Sequence, residues 1–114
     1  MKHIPIAQRM TVRNSETTVA HEYELGSHAM NAAVIEIEGR YPLDGWASNN
    51  TTTSLIYVIS GQGSAIIDGH EVVLYKDDQL LIEVGEKYAF DGNLHILYVA
   101  SPAWTADQAE HIPD

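Results

Sequence analysis

Cysteine is absent from this chain, so disulfides, thiolate metal sites and thiol nucleophiles are all excluded. Basic residues are scarce, 6 against 16 acidic ones, which leaves a formal net charge of −10. Such a field repels phosphates and anionic membranes, so neither nucleic acid nor a membrane is an expected partner and nucleotide-sugars are disfavoured. No apolar run approaches the roughly 18 residues of a membrane span, and Met1-Lys2-His3-Ile4-Pro5 lacks the apolar segment of a signal peptide. A soluble, cytoplasmic protein is the expectation. Long helical periodicity is also missing. What remains for chemistry is histidine, carboxylates, hydroxyls and aromatics.

The 114 residues suit a single domain, and 45% apolar content fills one core. Residues 1–30 show no sustained period and read as an N-terminal arm or edge strands, with Thr17–Ala20 and His21–Leu25 each able to form a short strand. From Ala33 the pattern sharpens, because Ala33, Ile35 and Ile37 alternate with Val34, Glu36 and Glu38 as in a half-buried strand. Gly39 is expected to end that strand. Residues 40–45 then read as a loop, and Ser48–Ser54 as a polar loop feeding the next strand.

Leu55–Ser60 is nearly all apolar, as suits a strand covered on both faces. The Gly61-Gln62-Gly63 segment reads as a turn. Asp68-Gly69, set between the apolar runs 64–67 and 71–74, is a strong hairpin signal, since both central residues of a type I′ turn need positive φ. Asp77-Asp78 and Val84–Lys87 read as further turns, Tyr88–Phe90 as a short strand stopped by Asp91-Gly92-Asn93, and Leu94–Ala100 as the last strand. Thr105 and Gln108 have capping-box spacing, which predicts one helical turn over 105–111. Many short strands with turn signals between them predict an all-β barrel or sandwich.

Between Ser54 and Gly92 these turns and strands resemble the two motifs of the cupin superfamily. The resemblance implies a double-stranded β-helix barrel of jelly-roll type, with residues 33–104 as barrel core within one domain, 1–114. The family's metal-binding glutamate falls on Ser54, its histidine pair on Ser48 and Asn50 or on Ala47 and Asn49, and its later histidine on Tyr88. Asp77-Asp78 stands in place of Gly-Asp, Glu83 in place of the usual proline, and Gly85 is retained. Ser101–Trp104 is similar to the ending of small bacterial cupins that lack metal ligands and whose role is generally unassigned.

Asn, Ser and neutral Tyr are weak donors for a divalent transition metal. The histidines, at 3, 21, 28, 70, 95 and 111, show no His-x-His or His-x-x-x-His spacing. No metal and no cofactor is therefore expected. If Tyr88 faces inward, alternation places Phe90 beside it, and Ile56 and Val58 with Ser54. The expected ligand-binding set is Trp46, Asn50, Ser54, Tyr88 and Phe90, with Tyr41 and Trp104 near the rim.

Three functions stay open. The first is a metal-free cupin, expected as a homodimer, that binds a small uncharged or weakly charged molecule in the barrel mouth. The second is a metal-independent isomerase or epimerase of a carbohydrate or keto acid, with Tyr88 and His95 as an acid–base pair if they converge. The third is a regulatory or structural interaction protein. The facing of Glu36 and His95 is undetermined at this level, and each aromatic is equally suited to a plain core role.

Overall fold

Asp68 and Gly69 take φ values of +48° and +83°. They thereby join β5 (Thr53–Ile67) to β6 (His70–Tyr75) by the hairpin expected from their sequence, in a computed structural model that describes residues 1–114. Nine strands form one curled antiparallel sheet. Its main path runs β1 (Met10–Arg13), β2 (Thr18–Tyr23), β3 (Asn31–Tyr41), β8 (Tyr88–Ser101), β4 (Trp46–Asn49) and β9 (Ala109–Ile112). Strand β5 lies along the other edge of β8, and β6 and β7 (Gln79–Ile82) pair with successive halves of β5. The fold is the all-β, cupin-like barrel expected of the sequence. No helix is long and apolar enough to cross a membrane.

The curl follows from strand length. Straight, the 15 residues of β5 would span roughly 50 Å, well beyond the 39 Å longest axis of the molecule. Three expected breaks are in fact passages through which strands continue. Gly39 lies within β3, Gly61–Gly63 within β5, and Gly92 within β8. Gly39 pairs with Gly92, and Gly92 pairs with Gly63, so the glycines form a row across the three long strands. At Gly92 φ is +127°, and a Cβ would stand 2.6 Å from the Gly63 Cα and 2.8 Å from the Gln62 carbonyl oxygen. Strands β8 and β5 therefore lie closer here than a side chain on Gly92 or Gly63 would permit, whereas a Cβ on Gly39 would press only on the Thr17 side chain.

A second irregularity resets the side-chain phase. Between Val58 and Ser60 the pairing of β5 with β8 shifts by one residue. Ser54, Ile56 and Val58 face inward before this bulge, whereas Ala65 and Ile67 do so after it. The inward positions assemble a core of Ile37, Ile56, Val58, Ala65, Leu74, Ile82, Phe90, Leu94 and Ile96.

Other expectations need adjustment. The two short strands expected within 17–25 are one strand, β2 (Thr18–Tyr23), and β1 pairs beside it. The helical turn is confined to a 3-10 turn at Ala106–Gln108, because Ala109–Ile112 is drawn into pairing with β4. Gln108 Oε1 accepts the Thr105 backbone N–H at 3.1 Å, as a capping box requires.

Glu36 faces outward. Its Oε2 lies 2.5 Å from His21 Nε2, and His21 Nδ1 is 2.8 Å from Thr11 Oγ1, which ties β1, β2 and β3 together on the outer face. The His21 hydrogen bond is the main reason the Glu36 carboxyl ionises below its ordinary value of 4.5. A carboxyl lowered by folding stabilises the fold above the unfolded-chain value and loses that contribution as pH falls through the folded one. Glu36→Gln is accordingly expected to flatten the acid limb of a pH-stability profile below about pH 5, as read by thermal unfolding. Gly92→Ala is expected to lower stability by about 3 kcal/mol, measured by urea unfolding.

Candidate functional site

Alternation on four strands aims one set of side chains into a cavity of about 560 Å³. From β8 come Tyr88, Phe90, Ile96 and Tyr98; from β3, Ala33, Ile35, Ile37 and Tyr41; from β2, Thr18, Ala20 and Glu22; from β1, Met10. The register explains the convergence. Glu22 pairs with Ala33 and Ala33 with Tyr98 in one row, and Ala20, Ile35 and Ile96 form the next. Tyr88 and Phe90 meet edge to face, with ring centroids 5.7 Å apart.

The walls are apolar, but three phenols project into them. Tyr98 OH accepts a hydrogen bond from Ser54 Oγ at 2.8 Å, leaving its own proton free to be donated. The hydroxyls of Tyr41 and Tyr88 have no hydrogen-bond partner within the chain. Burial raises the pKa of Tyr88 well above the ordinary 10.0, reinforced by Tyr98 and Tyr41. Burial likewise raises Tyr41 and Tyr98. All three thus remain protonated at neutral pH and act as donors aimed into one space.

The rim is built where segment 28–31 is stitched to 101–104. Ser101 Oγ donates to the Ala29 carbonyl at 2.9 Å, and Ala103 N–H to the His28 carbonyl at 3.1 Å. Asn31 clamps the backbone of Trp104, accepting its N–H at 3.0 Å and donating to its carbonyl at 3.1 Å. The Trp104 ring is therefore held at the mouth, 38% exposed. Glu22, Glu24, Ser27, His28 and Thr105 complete the polar edge, and no lysine or arginine contributes to the lining.

Of the residues expected from sequence, Tyr88, Phe90, Tyr41 and Trp104 meet in this cavity. Ser54 is buried behind it and touches it through Tyr98. Trp46 is elsewhere: the Arg40 guanidinium sits 5.3 Å from its ring centre, and it borders a separate hollow with Asp68, Gly69 and Lys87. Asn50 is on an exposed loop, where its Oδ1 accepts the Thr51 hydroxyl at 2.7 Å. Its neighbour Asn49 is a turn former, accepting the N–H groups of Thr51 and Thr52 at 2.8 and 2.7 Å.

His95 pairs with Glu36 on the outer face and is not in the lining. Tyr88 and His95 are an odd number of residues apart in one strand, so they point to opposite faces and cannot form an acid–base pair. Sequence reasoning missed Tyr98, Glu22, Glu24, His28 and Asn31. Tyr98 was discoverable, since it has the parity of Tyr88 and Phe90, but the expected break at Gly92 severed that count.

The architecture and site define a cupin-fold protein with an aromatic, hydroxyl-bearing cavity. No protein-family model and no curated protein matches the sequence. Solved structures do. Streptomyces Pac13, described as a nucleoside dehydratase and also solved with uridine, superposes with a TM-score of 0.90 at 14% identity, over 99% of this chain and 91% of that one. A protein from Planctomyces limnophilus gives 0.81 at 12% identity, covering 96% and 95% of the two chains. KdgF from Halomonas sp. gives 0.76 at 11% identity, covering 93% and 98%.

A phenol whose pKa is raised by folding costs stability as pH rises from the unfolded-chain value through the folded one. Tyr88→Phe is expected to make the loss of stability above about pH 10 less steep, as followed by chemical unfolding at increasing pH.

Proposed function

We propose that this protein binds a small, uncharged, oxygen-rich ring compound, of the nucleoside or sugar kind, in the cavity between β2, β3 and β8. The observation that carries the reading is the pair of hydroxyls, Tyr41 and Tyr88, that face the cavity without a partner in the chain. No fully buried side-chain polar atom lacks a partner, so both hydroxyls open onto the cavity, where a ligand carbonyl or hydroxyl would take the place of solvent as their acceptor. The volume of about 560 Å³ fits a compound of that size. Apolar walls and the Trp104 ring suit the faces of a flat or puckered ring. Pac13, with uridine bound, offers a neighbour of the same fold that takes such a compound.

The reading is metal-free. The chain gathers no group of three His, Asp or Glu side chains able to hold an ion, and the positions that would do so in the resembled family carry Ser54, Tyr88 and either Ser48 and Asn50 or Ala47 and Asn49. A catalytic version is favoured by one specific feature. Three protonated phenols line one cavity and would together supply donors to an oxyanion, so an isomerase or lyase acting next to a carbonyl is the alternative. Its base would have to come from Glu22, Glu24 or His28 rather than His95. A keto acid suits this lining poorly, since no cation faces it.

The expected homodimer belongs to the same proposal. Leu55 lies between Leu81 and Val99 on the outer face, with Leu55 38% and Leu81 55% exposed. A second copy would cover this apolar row. Sedimentation at micromolar concentration is expected to give a dimer, and a monomer would remove that element.

Binding is tested by calorimetric titration with uridine and a panel of free pentoses and hexoses. Tyr41→Phe and Tyr88→Phe are each expected to weaken the best ligand by about 1 kcal/mol, roughly fivefold. If none of these compounds binds, or both variants bind as tightly as the parent, the proposal is wrong.

A further inference from the structure

Glu22 stands in the inward row with Ala33 and Tyr98. Glu24 keeps the same parity just beyond the end of β2, and both side chains border the cavity. Neither is in an ion pair: the salt bridges of the chain are His21–Glu36, Lys76–Asp77 and His111–Asp44. Two cations come close to this rim, Lys2 against Gly26 and Arg9 donating to the Tyr23 hydroxyl at 3.4 Å. Neither lines the cavity or pairs with either carboxylate. His28 is the single imidazole in the lining.

Glu22 and Glu24 are exposed whereas Tyr41, Tyr88 and Tyr98 are half-buried, so a ligand entering from solvent meets the two unpaired carboxylates first. Both carboxylates are solvent-exposed, so salt screens their field outside, while the apolar walls beneath direct part of it into the cavity. We propose that Glu22 and Glu24 form a charge filter, which admits neutral and amine-bearing ligands and rejects phosphorylated ones. For its substrate class this rests on the binding reading above; for the field at the rim it does not. Aromatic rings at Tyr23 and Trp104 would add attraction for an ammonium group held between the carboxylates. Because the phenols of Tyr41, Tyr88 and Tyr98 are donors, the rest of such a ligand would present acceptors to them.

The experiment has two arms. Calorimetry compares uridine, 5′-amino-5′-deoxyuridine and uridine 5′-monophosphate on the parent and on Glu22→Gln/Glu24→Gln. The parent is expected to bind the monophosphate at least tenfold more weakly than uridine and the amine no more weakly, with the monophosphate gap shrinking about fivefold or more in the variant. The second arm needs no ligand. In a Trp46→Phe background the remaining indole, Trp104, reports the rim through quenching by iodide, caesium and neutral acrylamide.

The double variant is expected to raise iodide quenching about twofold and lower caesium quenching, with acrylamide unchanged. An unchanged iodide constant overturns the filter whatever binds. A monophosphate that binds as tightly as uridine to the parent overturns it as well. If quenching responds but no uridine compound binds, the filter stands and the nucleoside reading falls. Circular dichroism and an unchanged acrylamide constant establish that the variant is folded.

Discussion

Gly92 pairs with Gly39 on one side and Gly63 on the other, and between β8 and β5 the backbones come closer together than a side chain on Gly92 or Gly63 would allow. Strands of 11, 15 and 14 residues would otherwise run as a flat sheet, too long for the molecule and open on both faces. Through this row of glycines β3, β5 and β8 curl, and one face of each becomes an interior. The core and the cavity both depend on that curl. Val58, Leu74 and Leu94 fill the closed part, while Ala20, Ile35 and Tyr98 line the cavity along β2, β3 and β8.

Given the curl, the placement of polar groups becomes the informative quantity. Apolar atoms on an inward face need no account beyond burial, but a phenol there must find an acceptor or remain costly. Ser54 meets part of that need at Tyr98. Nothing in the chain meets it at Tyr41 or Tyr88, whose hydroxyls open onto the cavity, and partial burial of the rings raises both pKa values. Tyr57 contrasts with them: it lies outside, and its raised pKa comes first from its hydrogen bond to Asp77, 2.6 Å away. The same shift thus has different causes on the two faces of the sheet.

Identities of 11–15% to proteins that superpose so fully separate backbone from chemistry. Turn glycines and inward apolar parity suffice to reproduce the barrel, and many side chains satisfy them equally well. The cavity lining answers to other demands. Its phenols, its Asn31-clamped indole and its unpaired carboxylates are the part of this chain that a shared fold does not explain.

What the sequence determined by itself is local. Asp68-Gly69 specified its hairpin because positive φ at both positions is a property of those residues. Ala33, Ile35 and Ile37 announced an inward face, and Tyr88 with Phe90 a second, because alternation follows from the pleat alone. The tertiary structure decided which faces meet. A glycine reads the same whether a strand ends or bends there, so the run from Tyr88 to Tyr98 was not legible across Gly92. The bulge at Val58 to Ser60 cannot be read either, since it exists only relative to the partner strand. The outward facing of His95, left open by the sequence, is likewise fixed by its pairing with Glu36, and Trp46 and Asn50 lie away from the cavity because the path of the chain between strands is set by contacts between residues distant in sequence.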